Sequence, residues 1–479
     1  MDPSFLPAWR LAELARSRKL GCLELLEHCI ARTERLNPRL NAVVARDFER
    51  ARGRARRLDQ AGQAVGPLFG VPMTVKESFD LARLPSTWGY ENRKTHRAET
   101  DALAVRRLEA AGAVVFGKTN VPVGLADWQS YNPVYGTTNN PWNSGHTPGG
   151  SSGGSAAACA AGLAALEVGS DIGGSIRVPA HYCGLFGLKP SFGFCSPRGQ
   201  SMSNAAAMTD ISVIGPLARS ARDLELAFDA MLGPDPVAAV YGYALPSPRI
   251  SALSECRIAV WADEPGQATD AETVALIEEL ARHLERDGAE VSRTARPDFD
   301  PVEAFRLYVT LLDAALSARA PEETLAQRRA EKAKLSADDF STDALFVRAV
   351  DLGHREWLRL NERRQQIRRL WGQFFTRWDV LLCPVIATPA LPHMQEGETW
   401  ERSLIVNGRQ IAYNDMLFWP GITCGFHLPA SVAPIGLSRS GLPIGVQIAG
   451  PVGGDRTTIK VAELLELAFR SFVAPPGWD

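Results

Sequence analysis

Thr147-Pro-Gly-Gly-Ser-Ser-Gly-Gly-Ser-Ala-Ala-Ala158, followed by Gly169-Ser-Asp-Ile-Gly-Gly-Ser-Ile-Arg177, is the stretch on which the reading of this chain turns. The surrounding region, residues 136–200, is rich in Gly, Ser and Ala, and residues 149–166 carry no charge. Small residues at that density let backbone segments approach closely, which a solvent-exposed linker does not require. Gly173-Gly174-Ser175 suits a turn whose amide groups point at one spot, because glycine permits positive φ and leaves room for a carbonyl. Amides converging in this way stabilise a developing oxyanion, usually the largest single catalytic term. A serine closing the turn is placed to attack the same carbonyl.

A free serine is a weak nucleophile and needs a base. No histidine–carboxylate pair suggests itself, but Lys76 closes an apolar segment, 68–76, that reads as a buried strand interrupted by Pro72. A desolvated lysine loses its proton more easily and can be neutral near pH 7. Taken alone, Lys76 reads more readily as a salt-bridged or snorkelling lysine, and only the two glycine–serine motifs turn the reading towards a base. Two other glycine motifs compete. Residues 112–119 (G-A-V-V-F-G-K-T) match the nucleotide-binding P-loop pattern letter for letter. A P-loop needs a strand before its first glycine and a helix after its lysine. Here a helix precedes, the intervening residues look like the strand, and Pro122 follows. Residues 149–154 also match G-x-S-x-G twice, but that elbow follows a buried strand, whereas 143–148 reads as a loop.

Working outward, strands alternate with helices. The first 36 residues read as two helices, the second with Leu25, Leu26, Cys29 and Ile30 on one face and stopped at Asn37-Pro38. Residues 100–111 read as a capped helix with Ala104, Val105, Leu108 and Ala111 on one face, ending at Gly112. Residues 113–116, 257–261 and 380–385 read as strands, and 432–448 as a pair turning near 438–441. Residues 270–287 read as a helix, 233–254 as a Pro-rich surface connection, and 321–378 as charged amphipathic helices. The alternation predicts an α/β fold, a sheet covered by helices on both faces. The expected organisation is a single domain over 1–479, with an N-terminal helical part (1–66), a core carrying the Gly/Ser-rich segments (68–232) and a helical elaboration (300–378).

The chain has 479 residues and a formal net charge of −2, so no electrostatic footprint argues for nucleic acid or an acidic membrane. The most apolar stretch, 156–166, is too short to span a bilayer, and residues 1–10 lack the pattern of a secretory signal. The eight cysteines contain no C-x-x-C pair and read as reduced thiols of a cytoplasmic protein. The histidines are dispersed without metal-ligand spacing, so neither a metal nor an organic cofactor is expected.

The two opening segments together resemble the amidase signature family. So do Asn37-Pro-Arg-Leu-Asn-Ala42, Gly70-Val-Pro-Met-Thr-Val-Lys-Glu77, Gly117-Lys-Thr-Asn120, Gly184-Leu-Phe-Gly-Leu-Lys-Pro190, Gly215-Pro216 and Gly441-Leu-Pro-Ile-Gly-Val-Gln447, so the likeness spans nearly the whole chain. The resemblance implies a large, mixed, twisted sheet between helical layers. It implies that Lys76 is the catalytic lysine, Ser151 a bridging serine at a cis peptide bond, and Ser175 the nucleophile. Only family spacing favours Ser151 over Ser152. By the same resemblance the amides of Ile172, Gly173, Gly174 and Ser175 form the oxyanion hole. Ser152 and Ser155 are expected to hydrogen-bond Lys76, and Asp171 and Arg177 to pair and hold the turn. Residues 127–131 resemble the pocket-side loop of broad-specificity amidases, so Trp128, Gln129 and Tyr131, with Phe418 and Trp419, are expected to wall an aromatic pocket. The expected reaction is hydrolysis of an aryl or alkyl amide, anilide or carbamate by a monomer or homodimer. A glutaminase subunit of a transfer-RNA amidotransferase, a catalytically idle binding homologue and a nucleotide-binding protein using 112–119 are the competing readings.

Overall fold

Eleven strands build one sheet in the computed structural model, which describes residues 2–61, 63–202, 205–318 and 320–478. In chain order they are β1 (Val43–Arg46), β2 (Pro72–Lys76), β3 (Val114–Thr119), β4 (Leu166–Asp171), β5 (Phe186–Lys189), β6 (Val213–Ala218), β7 (Arg257–Val260), β8 (Glu290–Ser292), β9 (Val380–Pro384), β10 (Ala430–Leu437) and β11 (Pro443–Ala449). Their spatial order is β1-β3-β2-β4-β6-β5-β10-β11-β9-β7-β8. The sheet is mixed: β2 runs parallel to β3 and β4, whereas β10 and β11 form an antiparallel hairpin. Side chains alternate between faces along each strand. Ile258 and Val260 therefore enter one core with Leu280, Ile459 and Val461, while Ala259 and Trp261 enter another with Ile367, Trp371 and Tyr308. With both faces buried, the strands read as apolar runs rather than alternating ones.

Local chemistry explains where elements differ from the sequence expectations. Pro72 begins its strand instead of interrupting it, because a strand's first residue can forgo a ladder N–H. The helix expected to stop at Asn37-Pro38 runs Cys22–Leu40 and ends on left-handed Asn41. Asn37 uses its side chain to tie down the exit, accepting from the amides of Ala42 (2.9 Å) and Val43 (2.8 Å). The helix expected from residue 100 begins at Leu103 and has no side-chain cap. Asp101, just before it, is occupied elsewhere, receiving Arg50 and the Ala82 amide. Asp270 does cap its helix, accepting from the amides of Glu272 and Thr273.

The P-loop-like run is a strand. Val114–Thr119 is fully buried, and the Lys118 ammonium bonds the Pro85 carbonyl and the Ser86 hydroxyl at the end of a turn. Only a short 3-10 turn (Val123–Leu125) follows, so no helix amides face a phosphate.

The glycine-rich segment does bring backbones together. A Cβ on Gly154 would lie 2.3 Å from the Asn120 amide nitrogen, and one on Gly150 2.2 Å from the Asp127 carbonyl. Among the described residues no helix is long and apolar enough to cross a membrane.

Candidate active site

Three neighbouring pieces of backbone converge at the C-terminal ends of the parallel strands β2 and β4. Lys76 is the last residue of β2 and Asp171 the last of β4. Between the glycine-rich loop and the helix Gly153–Ala160 lies Ser151, whose peptide bond to Gly150 is cis. Ser175 sits in the turn leading to the helix Arg177–Cys183. The Ser152 amide donates to the Ser175 carbonyl (3.1 Å), fastening the loop to the turn.

Among the described residues Lys76 has no carboxylate partner within ion-pair distance. Its Nζ lies 2.6 Å from Ser151 Oγ, 3.0 Å from Ser170 Oγ and 3.5 Å from the Ser170 carbonyl. It is completely buried, and that desolvation pulls its pKa from 10.5 down to about 7, with Asp171 only partly opposing. A neutral amine has two N–H donors and one lone pair. Ser170 can accept from the donors, which leaves the lone pair for a proton on Ser151.

Asp171 organises the turn. Its carboxylate accepts from the amides of Gly174 (2.8 Å) and Ile176 (3.0 Å) and pairs two-pronged with Arg177, Nη2 at 2.9 Å and Nε at 3.0 Å. Burial disfavours the charged carboxyl, but the Arg177 guanidinium outweighs it and holds Asp171 well below the usual carboxylate range. Arg177 in turn donates to the Pro420 carbonyl and the Thr423 hydroxyl. The pair is a fixed structural clamp, as expected from sequence.

The carbonyls of the turn are pulled outward: Ile172 by the Tyr308 hydroxyl (3.1 Å) and Gly173 by Trp128 Nε1 (2.9 Å). In a trans peptide the N–H points opposite to the C=O, so the Gly173 amide faces away from Tyr308. The Gly174 amide is committed to Asp171, which removes it from the expected oxyanion set. The amides of Ile172, Gly173 and Ser175 make no hydrogen bond among the described residues.

Ser152 and Ser155 do not bond Lys76. Ser152 Oγ accepts from the Ser170 amide (3.4 Å), and Ser155 Oγ meets Thr119 Oγ1 (2.8 Å). The lysine's second hydroxyl partner is Ser170, which the sequence reading passed over. It precedes Asp171 on β4, and a residue there reaches the end of the neighbouring strand β2.

Ser175 and Gly173 form the floor of a cavity of about 490 Å³. Trp128, Tyr413, Leu417 and Leu312 wall it, and the helices Glu322–Lys332 and Thr342–Arg348 cover its outer side. Part of the helical elaboration therefore covers the pocket. Of the five residues expected to line it, only Trp128 does. Gln129 is buried and braces the chain by two bonds to the Met394 backbone (2.6 and 2.8 Å). The Tyr131 hydroxyl accepts from Arg402 (2.7 Å). Phe418 and Trp419 pack edge-on against Trp261 in the core, and Trp419 Nε1 donates to Thr269. The sequence reading missed Tyr413, Leu417 and Phe346.

Residues 24–459 match the model of the amidase family. The chain is 31% identical to the indoleacetamide hydrolase of Bradyrhizobium diazoefficiens over 92% of its own length and 83% of that protein. It is 30% identical to a glutamyl-tRNA(Gln) amidotransferase subunit from Synechococcus sp., covering 98% of this chain and 97% of that one. The crystal structure of a bacterial aryl acylamidase of the amidase signature family superposes with a TM-score of 0.80 at 26% identity, covering 97% of this chain and 96% of that one. By its sheet, its glycine-rich loop and this similarity along nearly its full length, the chain belongs to the amidase signature family of amide-hydrolysing enzymes.

Proposed function

We propose that the protein is a stand-alone serine hydrolase of amide-type C–N bonds, with Ser175 as nucleophile, Ser151 as proton relay and Lys76 as base. The observation that carries this reading is a buried lysine with no carboxylate partner among the described residues, poised to be neutral near pH 7 and 2.6 Å from a serine hydroxyl. In the proposed reaction Ser175 Oγ attacks the substrate carbonyl while its proton passes to Ser151 and the Ser151 proton to Lys76. The tetrahedral oxyanion faces the amides of Ile172, Gly173 and Ser175. The relay then runs backwards, the leaving amine takes a proton from Ser151, and water repeats the sequence on the acyl-enzyme. A carbamate presents the same carbonyl beside a different heteroatom, so aryl and alkyl amides, anilides and carbamates all fall within the proposal.

The aromatic and aliphatic cavity wall supports an apolar acyl or aryl group. The similarity to a transfer-RNA amidotransferase component favours a second reading, a glutaminase. Trp128, Leu312 and Leu417 favour an apolar group, but Asp127, Arg328 and Asn414 line the same cavity, so glutamine is kept in the test as the second substrate class.

The test is active-site labelling with a fluorophosphonate, the adduct located by peptide mass spectrometry. Hydrolysis of a nitroanilide, an aryl carbamate and glutamine is followed in parallel. The expected result is an adduct on Ser175, absent in Ser175→Ala and formed far more slowly in Lys76→Ala. Full activity in Ser175→Ala, or an adduct on Ser152, overturns the assignment.

A further inference from the structure

Lys76 reaches Ser170, and the Ser170 hydroxyl is itself held from a third segment of chain. Pro197-Arg198-Gly199-Gln200 is a tight turn, closed by the Gln200 amide on the Pro197 carbonyl (2.7 Å), with Gly199 at φ +82°. A positive φ at the third position of a turn is what glycine supplies without strain. The turn is also pinned from outside. The amides of Asp80 (2.7 Å) and Leu103 (2.9 Å) donate to the Gly199 and Arg198 carbonyls, and a Cβ on Gly199 would lie 2.5 Å from Ala102 Cα. The buried Gln200 side chain therefore springs from a fixed backbone.

Gln200 Nε2 donates to Ser170 Oγ and to Ser78 Oγ, both at 3.2 Å. A side-chain amide has two N–H groups, so both bonds form at once. Ser78 lies in the turn directly after Lys76, where the Phe79 amide donates to the Lys76 carbonyl (3.0 Å). One amide thus ties the end of β2, which carries Lys76, to β4, which carries the hydroxyl that Lys76 meets at 3.0 Å. Gln200 does not line the cavity above Ser175. Any effect it has on the reaction passes through the groups it holds.

Resting on the hydrolase reading above, we propose that Gln200 is a positioning residue for the lysine base, acting through Ser170. Its N–H occupies one of the two lone pairs of Ser170 Oγ, which fixes that oxygen and leaves the other for an N–H of the neutral amine. The lone pair of the amine is then directed at the Ser151 hydroxyl, 2.6 Å away. The Gln200 N–H also turns partial positive charge towards a lysine on which Asp171 already acts to favour the ammonium form. A carboxylate in its place would add to that pull and oppose the neutral base.

The test compares wild type, Gln200→Met, Ser170→Ala and the double variant by nitroanilide hydrolysis and by the rate of fluorophosphonate labelling at Ser175. Gln200→Met nearly keeps the side-chain length and removes both donors. The expected result is a fall in kcat of about tenfold at unchanged KM, with labelling slowed in proportion. In the Ser170→Ala background the same substitution should cost about twofold or less, because the hydroxyl through which it acts is gone. Gln200→Glu reads the contact by charge: the acid limb of kcat/KM should move up by about one pH unit, since a carboxylate nearby favours the protonated amine. Wild-type kcat in Gln200→Met refutes the proposal. So does an equal loss in the Ser170→Ala background, or an acid limb that stays in place in Gln200→Glu. A side chain that merely braces the fold would lower thermal stability and leave these readouts unmoved. Failure of the hydrolase reading shows differently: wild type would then hydrolyse the nitroanilide no faster than Ser175→Ala.

Discussion

Replacing Lys76 by methionine keeps most of the buried volume and removes the titrating amine. In the unfolded chain the lysine has its ordinary value of 10.5, and in the fold about 7. Between those pH values the unfolded state holds a proton that the folded state has released. Stability therefore rises with pH across this window, because ∂ΔG/∂pH follows the protons bound by the unfolded state minus those bound by the native one. At ~1.36 kcal/mol per pH unit, wild type loses about 5 kcal/mol on going from pH 10.5 to pH 7 that Lys76→Met does not lose. The substitution also strips Ser151 and Ser170 of their nitrogen partner, at about 1–3 kcal/mol, but that cost does not depend on pH. Denaturant unfolding of both proteins at several pH values, taken as a difference, isolates the lysine from every other titrating group. The curve should bring the methionine variant up relative to wild type by several kcal/mol as pH falls towards 7, then flatten. The kcat/KM of wild type should show an acid limb of unit slope with its midpoint near pH 7, since only the neutral amine can take the proton. A stability difference that moves by less than ~1 kcal/mol across the window, or activity flat down to pH 5, would refute a neutral lysine base.

Three further outcomes follow from named contacts. Arg177→Met leaves Asp171 buried without its guanidinium, so it should cost about 3–5 kcal/mol in denaturant unfolding and abolish labelling of Ser175. Gly154→Ala puts a Cβ 2.3 Å from the Asn120 backbone nitrogen, so it should destabilise by about 1–3 kcal/mol although only one methyl group is added. Trp128→Ala and Trp419→Ala should part ways: the first alters KM and kcat, because Trp128 lines the cavity and bonds the Gly173 carbonyl, while the second mainly lowers thermal stability by about 3–5 kcal/mol. Thermal melts with steady-state kinetics on both variants check that separation.

The parts of the site that were legible in sequence are those that backbone chemistry forces. A turn whose amides must converge needs Gly173-Gly174, and a helix whose first turn packs on the Asn120 backbone needs Gly154, so the signal lies in residue type at fixed spacing. The Asp171–Arg177 clamp was legible because both partners sit on one short turn. Its cost was not: satisfying Asp171 consumes the Gly174 amide, and a list of glycines cannot show which N–H is already taken. The lysine's hydroxyl partner was misplaced for a related reason. Ser152 and Ser155 are near Ser151 in the chain, but Ser170 reaches Lys76 across neighbouring strands, and strand pairing is not written in local spacing.

The pocket was legible only as a segment. Residues 413–419 carry Tyr413 and Leu417 on the cavity side and Phe418 and Trp419 on the core side. The two larger aromatics drew the sequence reading towards the wrong face. Large aromatic side chains are as useful to a core as to a binding site, because both reward buried area. What separates them is which element packs behind. Here Trp261, at the end of β7, occupies the space beside Phe418 and Trp419, which leaves Tyr413 to close the cavity over Ser175. The same logic applies to the helical elaboration. Its charged helices look like a solvated surface when read singly, yet Asp313 on one helix and Arg328 on the next meet across the cavity wall. The residues proposed for catalysis are thus marked by local backbone requirements that survive in the sequence. The lining of the cavity is set by which faces of distant helices come together, and that becomes visible only once the sheet has assembled them.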